Sequence, residues 1–377
     1  MWFKRITLGV FAALLVQVNS SYAFELNAKA YYVGHPKTGS TILEKNADVK
    51  IGPASLTKMM TAYLLFDALR NEELTLDSQL MISKKAWKKA GSKMFLEVGK
   101  TVRVEDLIKG ILVSSGNDAC IVVAEHLAGS EDAFAVAMND KAVDLGLLNT
   151  QFRNASGWPD PEQYTTAKDM YTLAVKLWED FPEYYKYFSI PSFTYNNIRQ
   201  PNRNGLITRN VGIDGLKTGH IEDAGYHLVA SGERSGERLF SAVLGTDSMA
   251  QRENETASGL GFGFRMYKGY NLVPQGAEVE DAPVWLGDKR WLPLTVDESL
   301  EVYIAKKDRN NLTSEIIYNS PLIAPIEKGA KVGVIQVTNR STGKVTSVPL
   351  IAAESIGEAS FTEAMWQKLS QALSGDE

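Results

Sequence analysis

The chain has 377 residues, long enough to bury more than one hydrophobic core. Its 40 Lys and Arg residues against 45 Asp and Glu give a formal net charge of -5, which argues against a basic nucleic-acid-binding surface. Cys120 is the only cysteine, so the chain has neither an intramolecular disulfide nor a thiolate metal cluster. The apolar residues around Cys120 predict a packed, unreactive thiol.

Residues 1–23 have the pattern of a signal peptide. Lys4 and Arg5 precede an apolar stretch over 6–16, and the small residues that end at Ala23 permit cleavage after that position. The apolar stretch is shorter than the ~20 residues that a membrane-spanning helix needs, which favours cleavage over the alternative of an uncleaved anchor. We therefore expect the mature chain to be exported.

The stretch from 24 to 273 predicts an α+β domain. Helical patterns occur at 53–69, 104–113, 119–128, 133–145, 166–178 and 252–267. Extended runs bounded by turn residues predict strands at 30–33, 40–43, 227–231 and 239–244, the last two as a hairpin. Ser115 falls in the tight turn between the second and third of these helices.

Near Pro274 the composition changes, and alternating runs such as 300–304 and 332–337 replace the helical period. We therefore predict a separate small β domain over 274–357. The last stretch, 358–377, places five apolar residues on one side of a helix: Phe361, Met365, Trp366, Leu369 and Leu373. This amphipathic helix either packs on its own domain or lies on a membrane surface.

Ser55 and Lys58 are a candidate nucleophile and base at the start of the first helix. Residues three apart share a helix face, so the amine of Lys58 can reach the hydroxyl of Ser55. A serine beside such a base is an activated nucleophile, and the positive end of the helix favours developing negative charge. Taken alone, the same pattern also describes an ordinary helix start with a solvated lysine.

Two further motifs follow in the chain. Ser115-Gly116-Asn117 lies in the interhelical turn, where the serine alone would be read as a helix cap, and Lys217-Thr218-Gly219 precedes the predicted hairpin. Chance does not easily produce three such motifs in this order and in these settings. A second Lys-Thr-Gly at 37–39 precedes Ser55, and we interpret it as an ordinary turn.

The chain resembles the penicillin-recognising serine enzymes, and among them the low-molecular-mass penicillin-binding proteins that are D-alanyl-D-alanine carboxypeptidases. The stretches that carry the resemblance are Ser55 to Thr61, Ser115 to Cys120, Asn202 to Leu206, Asp214 to His220 and Pro283-Val284-Trp285. The resemblance implies a β-lactamase/transpeptidase-like catalytic domain, a small all-β domain and a terminal amphipathic helix. It also implies a periplasmic location, with peripheral contact to the inner membrane through that helix, whose polar face is only weakly basic here. No metal or other cofactor is expected.

The resemblance implies a role for each motif. Ser55 attacks the carbonyl of the terminal D-Ala-D-Ala bond of a peptidoglycan stem peptide, or of a β-lactam antibiotic, and becomes an acyl-enzyme. Lys58 accepts the serine proton, Ser115 relays a proton to the leaving amine, and Asn117 orients Lys58 or the substrate amide. To act as a base, Lys58 must be neutral near pH 7.5. This requires roughly 4 kcal/mol from burial and from the like charge of Lys217.

The remaining residues implied by the resemblance bind the substrate. Lys217 and Thr218 offer a cation and a hydroxyl to the terminal carboxylate, with help from Arg252 and, as a weaker candidate, Arg203. Gly219 would leave room for the substrate backbone along the strand. Backbone N–H groups of Ser55 and His220 would hold the oxyanion. The His220 side chain itself has either a supporting or a structural role.

Other classes remain as alternatives. A Ser-His-Asp hydrolase lacks a Gly-x-Ser-x-Gly motif, and a zinc hydrolase lacks His-Glu-x-x-His. A β-lactamase shares the three motifs, but the loop over 154–164 contains no Glu-x-x-Leu-Asn. A non-hydrolytic penicillin- or peptidoglycan-binding protein would not need the pair Ser55 and Lys58. Nucleic acid is not expected as a partner.

Overall fold

The computed structural model of the protein describes residues 24–374, without the side chains of 371–374. The predicted signal peptide therefore lies outside the described residues, as does the predicted apolar side chain of Leu373.

The first domain is built around an antiparallel sheet with helices on both faces. Its strands are β1 (Ala30–His35), β2 (Ser40–Lys45), β3 (Gln79–Met81), β4 (Thr101–Arg103), β5 (Ser192–Tyr195), β6 (Ile198–Pro201), β7 (Ile213–Ile221), β8 (Gly225–Arg234) and β9 (Glu237–Thr246). Its helices are α1 (Lys58–Arg70), α2 (Lys84–Lys88), α3 (Val104–Leu112), α4 (Asn117–Ala128), α5 (Glu131–Asp144), α6 (Ala167–Asp180), α7 (Pro182–Tyr185) and α8 (Met249–Met266). These elements confirm the predicted α+β class.

The main sheet has the strand order β2-β1-β9-β8-β7. Successive residues of a strand point to opposite faces, so Leu228 packs in a core with Leu260 of α8, whereas Val229 packs with the helices α1, α3, α4 and α6. Strand β7 forms one edge of this sheet, and the turn before α1 packs against it. The sheet thereby brings the Lys217 motif beside Ser55.

The chain passes into the second domain along a strand that follows α8 directly. After this connecting strand, β10 (Tyr267–Val273), the strands of the second domain are β11 (Glu278–Trp285), β12 (Trp291–Val296), β13 (Leu300–Ala305), β14 (Leu312–Tyr318), β15 (Leu322–Ile323), β16 (Lys331–Asn339) and β17 (Val345–Ala352). A sheet of order β14-β16-β17-β12-β11-β15 covers a separate apolar core, and β10 pairs with β13. Helix α9 (Phe361–Ser374) follows, which confirms the predicted β domain and terminal helix.

The structure also contains elements that the sequence did not predict. The aromatic-rich segment after α6 forms the short helix α7, a 3₁₀ turn over Lys186–Ser189 and the hairpin of β5 and β6. Within residues 24–374, no helix has both the length and the hydropathy that crossing a membrane requires.

Candidate active site

Ser55 lies in a 3₁₀ turn, Ala54–Thr57, that leads directly into α1. The sequence predicted an α-helix from Pro53, but the regular helix begins only at Lys58. Residues three apart are eclipsed in a 3₁₀ turn, which brings the two side chains together. The Nζ of Lys58 donates a hydrogen bond to the Oγ of Ser55 at 3.0 Å.

A second contact to Lys58 comes from the loop over 154–164, to which the sequence analysis gave no catalytic role. The carbonyl oxygen of Ser156 accepts a hydrogen bond of 2.5 Å from the Nζ of Lys58. The next residue, Gly157, has a φ of +79°, and a Cβ at this position would stand 1.7 Å from the carbonyl oxygen of Ala54. Only glycine therefore permits the loop to approach the turn so closely. Sequence reasoning recognised Gly157 only as a loop residue.

Lys58 is completely buried. Burial disfavours the charged form and lowers the pKa of its ammonium group to about 8, assisted by the charge of Lys89 and opposed by Cys120 and Asp118. Cys120 is itself a buried thiol whose pKa burial raises to about 11, which confirms the prediction of a packed cysteine. The burial of Lys58 thus makes a neutral amine accessible near neutral pH.

Ser115 occupies the turn between α3 and α4 in a left-handed conformation, with a φ of 65°. This region is unfavourable for residues with a Cβ, and such strain is concentrated at functional positions. The Asp118 carboxylate holds the turn in place because it accepts hydrogen bonds from the backbone N–H groups of Met94, Phe95 and Leu96. The Oγ of Ser115 accepts a hydrogen bond of 3.0 Å from the Nζ of Lys217.

Asn117 is buried at the first position of α4, but it does not orient Lys58. Its Nδ2 donates to the carbonyl oxygen of Ala90 at 2.8 Å. The backbone carbonyl of Ser156 performs the orienting role that the sequence offered to Asn117. The Oδ1 of Asn117 has no hydrogen-bond partner among the described residues, so it is available to a substrate amide.

Lys217 is almost completely buried in β7, with 1% of its surface exposed. Besides its bond to Ser115, its Nζ donates to the carbonyl oxygen of Thr218 at 3.1 Å. Burial lowers its pKa well below the usual value, and the charges of Lys58 and Arg252 lower it further. The sequence placed the like-charge effect on Lys58, whereas the structure places it on Lys217. A buried amine of this kind can exchange a proton with Ser115.

Of the next three residues of β7, Thr218 and Gly219 are buried and His220 is exposed. A Cβ at Gly219 would lie 3.1 Å from the carbonyl oxygen of Pro53 and 3.2 Å from the ring of His227, so the missing side chain makes room for the turn before α1. Thr218 is buried, with 6% of its surface exposed. His220 is exposed and stacks on Tyr226 at 3.9 Å between ring centroids, which is a structural role for its side chain.

Arg252 projects from α8 into the same region. It is buried, and its Nη2 donates to the carbonyl oxygen of Arg203 at 3.2 Å. Its Nε has no hydrogen-bond partner among the described residues. Burial lowers the pKa of this guanidinium from its usual value. Arg203 is exposed, and its charge also lowers the pKa of Lys217. The two arginines therefore lie close to the lysine of the third motif.

His227 supports the site without having been predicted from the sequence. The Nδ1 of its buried ring accepts a hydrogen bond from the N–H of Gly245 at 2.9 Å, so Nε2 carries the proton and donates to the carbonyl oxygen of Gly52 at 3.1 Å. Burial lowers the pKa of His227 to about 4. The neutral ring ties the segment before Ser55 to the sheet. Its only signal in the sequence was a histidine within a predicted strand.

Comparison with known proteins bears directly on this arrangement. Residues 16–248 match the family described as "D-alanyl-D-alanine carboxypeptidase", and residues 267–358 match "Penicillin-binding protein 5, C-terminal domain". The chain belongs to the D-alanyl-D-alanine carboxypeptidase family. It is a serine-type D-Ala-D-Ala carboxypeptidase, and this membership decides between that activity and the alternatives left open by the sequence. Within residues 24–374, no group of three or more His, Cys, Asp or Glu residues could hold a metal ion.

Individual relatives agree with the family assignment. The chain is 38% identical to the D-alanyl-D-alanine carboxypeptidase DacC of Escherichia coli over 351 residues, which cover 90% of this chain and 87% of that protein. It is also 38% identical to DacA of the same organism over 379 residues, covering 95% of this carboxypeptidase and 93% of the relative.

Solved structures share the fold over most or part of this chain. Penicillin-binding protein 5 from Haemophilus influenzae is 35% identical, with a TM-score of 0.81 over 89% of this carboxypeptidase and 99% of that chain. Penicillin-binding protein D2 from Listeria monocytogenes, solved in its ampicillin-bound form, is 32% identical, with a TM-score of 0.59 over 64% of this carboxypeptidase and 99% of that chain.

Proposed function

We propose that this carboxypeptidase removes the terminal D-alanine of peptidoglycan stem peptides through an acyl-enzyme on Ser55. One observation carries the assignment: two serine–lysine pairs, Ser55 with Lys58 and Ser115 with Lys217, are each joined at 3.0 Å, and both lysines are buried. A surface serine beside a solvated lysine would lack the lowered amine pKa that proton transfer needs.

In the acylation step, the neutral amine of Lys58 accepts the proton of Ser55 while the Oγ attacks the carbonyl carbon of the penultimate D-alanine. The backbone N–H groups of Ser55 and His220 stabilise the oxyanion. The proton that Lys58 accepted passes through Ser115 to the leaving amine, and the C–N bond breaks, while Lys217 keeps its hydrogen bond to the Oγ of Ser115. Water then hydrolyses the ester and regenerates Ser55.

The terminal carboxylate of the substrate binds close to Lys217, beside β7. The guanidinium of Arg252 supplies the principal cation and the hydroxyl of Thr218 a hydrogen bond, with Arg203 at the rim. Lys217 contributes less charge than the sequence suggested because burial and Lys58 favour its neutral form. The Oδ1 of Asn117 accepts from an N–H group of the substrate.

β-Lactam antibiotics acylate the same serine. The ampicillin-bound relative supports this assignment, since a β-lactam presents an activated carbonyl to the same nucleophile. We expect Ser55→Ala to abolish covalent labelling by a fluorescent penicillin and release of D-alanine from a D-Ala-D-Ala peptide. Ser189→Ala, in a 3₁₀ turn on another part of the domain, serves as the control and keeps both. Persistent labelling of Ser55→Ala rules out the assignment.

The domain organisation has four parts: a signal peptide over 1–23, the catalytic domain over 24–273, the β domain over 274–357 and the terminal helix over 358–377. The signal peptide directs the chain to the periplasm. Mass spectrometry of the exported protein tests the first boundary, because a mature chain that begins at Phe24 is expected.

The terminal helix attaches the protein peripherally to the inner membrane. Four large apolar side chains of α9 are 53% to 80% exposed: Phe361, Met365, Trp366 and Leu369. On another side, Gln367 fixes the helix to the β domain through the backbone N–H of Leu286 at 2.6 Å and the carbonyl of Gly287 at 3.2 Å. The apolar face therefore points away from the protein and matches the interface of a bilayer.

Co-sedimentation with phospholipid vesicles tests this attachment. The double substitution Phe361→Ser and Trp366→Ser removes apolar area while it keeps the Gln367 contacts, and we expect most of the protein to move from the pellet to the supernatant. Thr362→Ser on the same helix is the control. Equal sedimentation of the double variant and the parent chain contradicts the membrane role.

A further inference from the structure

A cavity of about 370 Å³ opens beside the turn that carries Ser115. Its lining comes from the segment 91–95, from Ser114, and from β6 with the residues that follow it. Most of these residues have no role in the reaction described above. Because Ser114 is the chain neighbour of Ser115, the cavity begins one residue from the hydroxyl that relays the proton.

The cavity has a positive lining. Lys93, Arg199 and Arg203 all contribute to it, and no acidic residue does. Within residues 24–374, none of these three side chains has a carboxylate within 4.0 Å. Lys93 makes one internal contact, a hydrogen bond of 3.0 Å from its Nζ to the carbonyl oxygen of Trp87. Cations that lack acidic neighbours attract an anionic ligand.

A buried glutamine ties the two sides of the cavity wall together. Gln200 is only 6% exposed, and its Nε2 donates to the carbonyl oxygen of Met94 at 3.3 Å. This contact joins β6 to the segment that carries Lys93, so the three cations are presented from a fixed wall. The wall thus offers cations to a carboxylate.

The proposed reaction determines which part of the substrate lies next to the cavity. Ser115 hands a proton to the leaving amine, and Arg252 with Arg203 holds the terminal carboxylate. Amine and carboxylate belong to one residue, the C-terminal residue that departs. The cavity borders both Ser114 and Arg203, and the Nη2 of Arg252 lies 3.2 Å from the carbonyl oxygen of Arg203. The side chain of the departing residue is therefore the group that faces it.

D-Alanine alone does not fill this space. Its side chain is a methyl group, close in size to a water molecule, which occupies about 30 Å³ in the liquid, and the cavity is about 370 Å³. The surplus volume and the three cations correspond to a longer, acidic side chain.

We propose that this cavity is a subsite for the side chain of the departing residue and that it accepts an acidic D-amino acid, whose side-chain carboxylate pairs with Lys93 and Arg199. The inference rests on the proposed function. The chemistry is unchanged: the same peptide bond breaks, the acyl group passes to Ser55 and then to water, and the amino acid that leaves carries a second carboxylate. No further reactant is required.

Three peptides that are identical up to the penultimate D-alanine test the subsite. They end in D-alanine, D-glutamate or D-methionine, and the last two have similar length but differ in charge. The kcat/KM for release of the last residue is measured for each. We expect D-glutamate to exceed D-methionine by about fivefold at low ionic strength, since exposed ion pairs have modest strength. The preference should shrink in about 0.5 M NaCl because salt screens exposed charges.

Substitutions assign the preference to the cavity. Lys93→Gln with Arg199→Gln should bring the ratio of D-glutamate to D-methionine close to one. Lys88→Gln removes a charge from an exposed lysine of α2 that does not line the cavity, and it should keep the ratio. If the double variant does not fold, as judged by thermal unfolding, Arg199→Gln alone must lower the ratio, since this exposed side chain forms no ion pair among the described residues.

The outcomes separate this inference from the proposed function. Release of D-alanine without a preference for D-glutamate in the parent enzyme overturns the subsite and leaves the proposed function intact. A preference that survives in the cavity variant overturns the roles of Lys93 and Arg199. Failure to release the last residue of any of the three peptides overturns the proposed function, and the subsite with it.

Discussion

The pH dependence of acylation provides the sharpest test of Lys58 as the general base. Burial lowers the pKa of Lys58 from 10.5 to about 8. This difference corresponds to about 3 kcal/mol in favour of the neutral amine. At pH 7, about 9% of the enzyme then has a neutral Lys58, against about 0.03% for an unperturbed lysine. The structure therefore accounts for a gain of about 300-fold in the reactive form at neutral pH.

The assay is the second-order rate constant for acylation by a fluorescent penicillin between pH 6 and pH 10. Since the base must be neutral, we expect the rate to rise about tenfold per pH unit below pH 8 and to level off above it. Removing a nearby positive charge favours the ammonium form, so Lys89→Gln should move the inflection upward by a few tenths of a unit. At pH 7 this variant should react about twofold more slowly.

Lys88→Gln is the matched control, because Lys88 is exposed and is not among the groups that shift the pKa of Lys58. Its inflection should coincide with that of the parent enzyme. A rate that is independent of pH from 6 to 9, or an inflection that Lys89→Gln does not move, would refute Lys58 as the titrating base.

Two further predictions concern the supports of the site. Gly157→Ala should lower the free energy of unfolding in urea by about 3 kcal/mol or more, because its Cβ would meet the Ala54 carbonyl. Gly129→Ala is also at positive φ but has nothing within 4 Å, so it should lower the free energy of unfolding by only about 1 kcal/mol. Equal losses in the two variants would contradict the close approach. Burial lowers the pKa of His227 from its ordinary value of 6.5 to about 4, so between these pH values the unfolded chain binds a proton that the folded chain does not bind. The free energy of unfolding should therefore fall by about 3 kcal/mol between pH 6.5 and pH 4. His227→Gln should reduce this pH dependence of stability. His126→Gln, at an exposed position, is the control and should leave it unchanged.

The order of elements and the three motifs could be predicted from the sequence because their signals are local. The helical period over 104–113 and the polar turn after it place Ser115 between two helices, where the structure has it. Spacing alone brings Lys58 to Ser55, since three residues are one turn of either helix type. Strand β7, which carries Lys217, can be predicted because the hairpin that follows it has a clear alternating pattern.

The remaining contacts join positions that are distant in the chain. Ser156 binds Lys58 through its backbone carbonyl. Every residue has such a carbonyl, so no pattern of side chains could predict this contact. The role of Gly219 depends on what packs against β7, and the orientation of Asn117 depends on Ala90. Whether Lys58 or Lys217 experiences the like charge more strongly follows from the packing around each amine. These features required the folded arrangement.

The turn between β1 and β2, which repeats the Lys-Thr-Gly tripeptide, holds the second domain. Lys37 pairs with Glu301 at 2.7 Å, the ring of His35 stacks on Tyr303 at 4.3 Å, and Lys344 donates to the carbonyl of Gly39 at 3.1 Å. In the strand order of the main sheet, this attachment lies at the edge opposite β7, about 19 Å away across four strand spacings. The contacts to the second domain therefore fall on the strand pair farthest from β7 in the sheet. Changes in these contacts are expected to leave the spacing of Ser55, Ser115 and Lys217 unchanged.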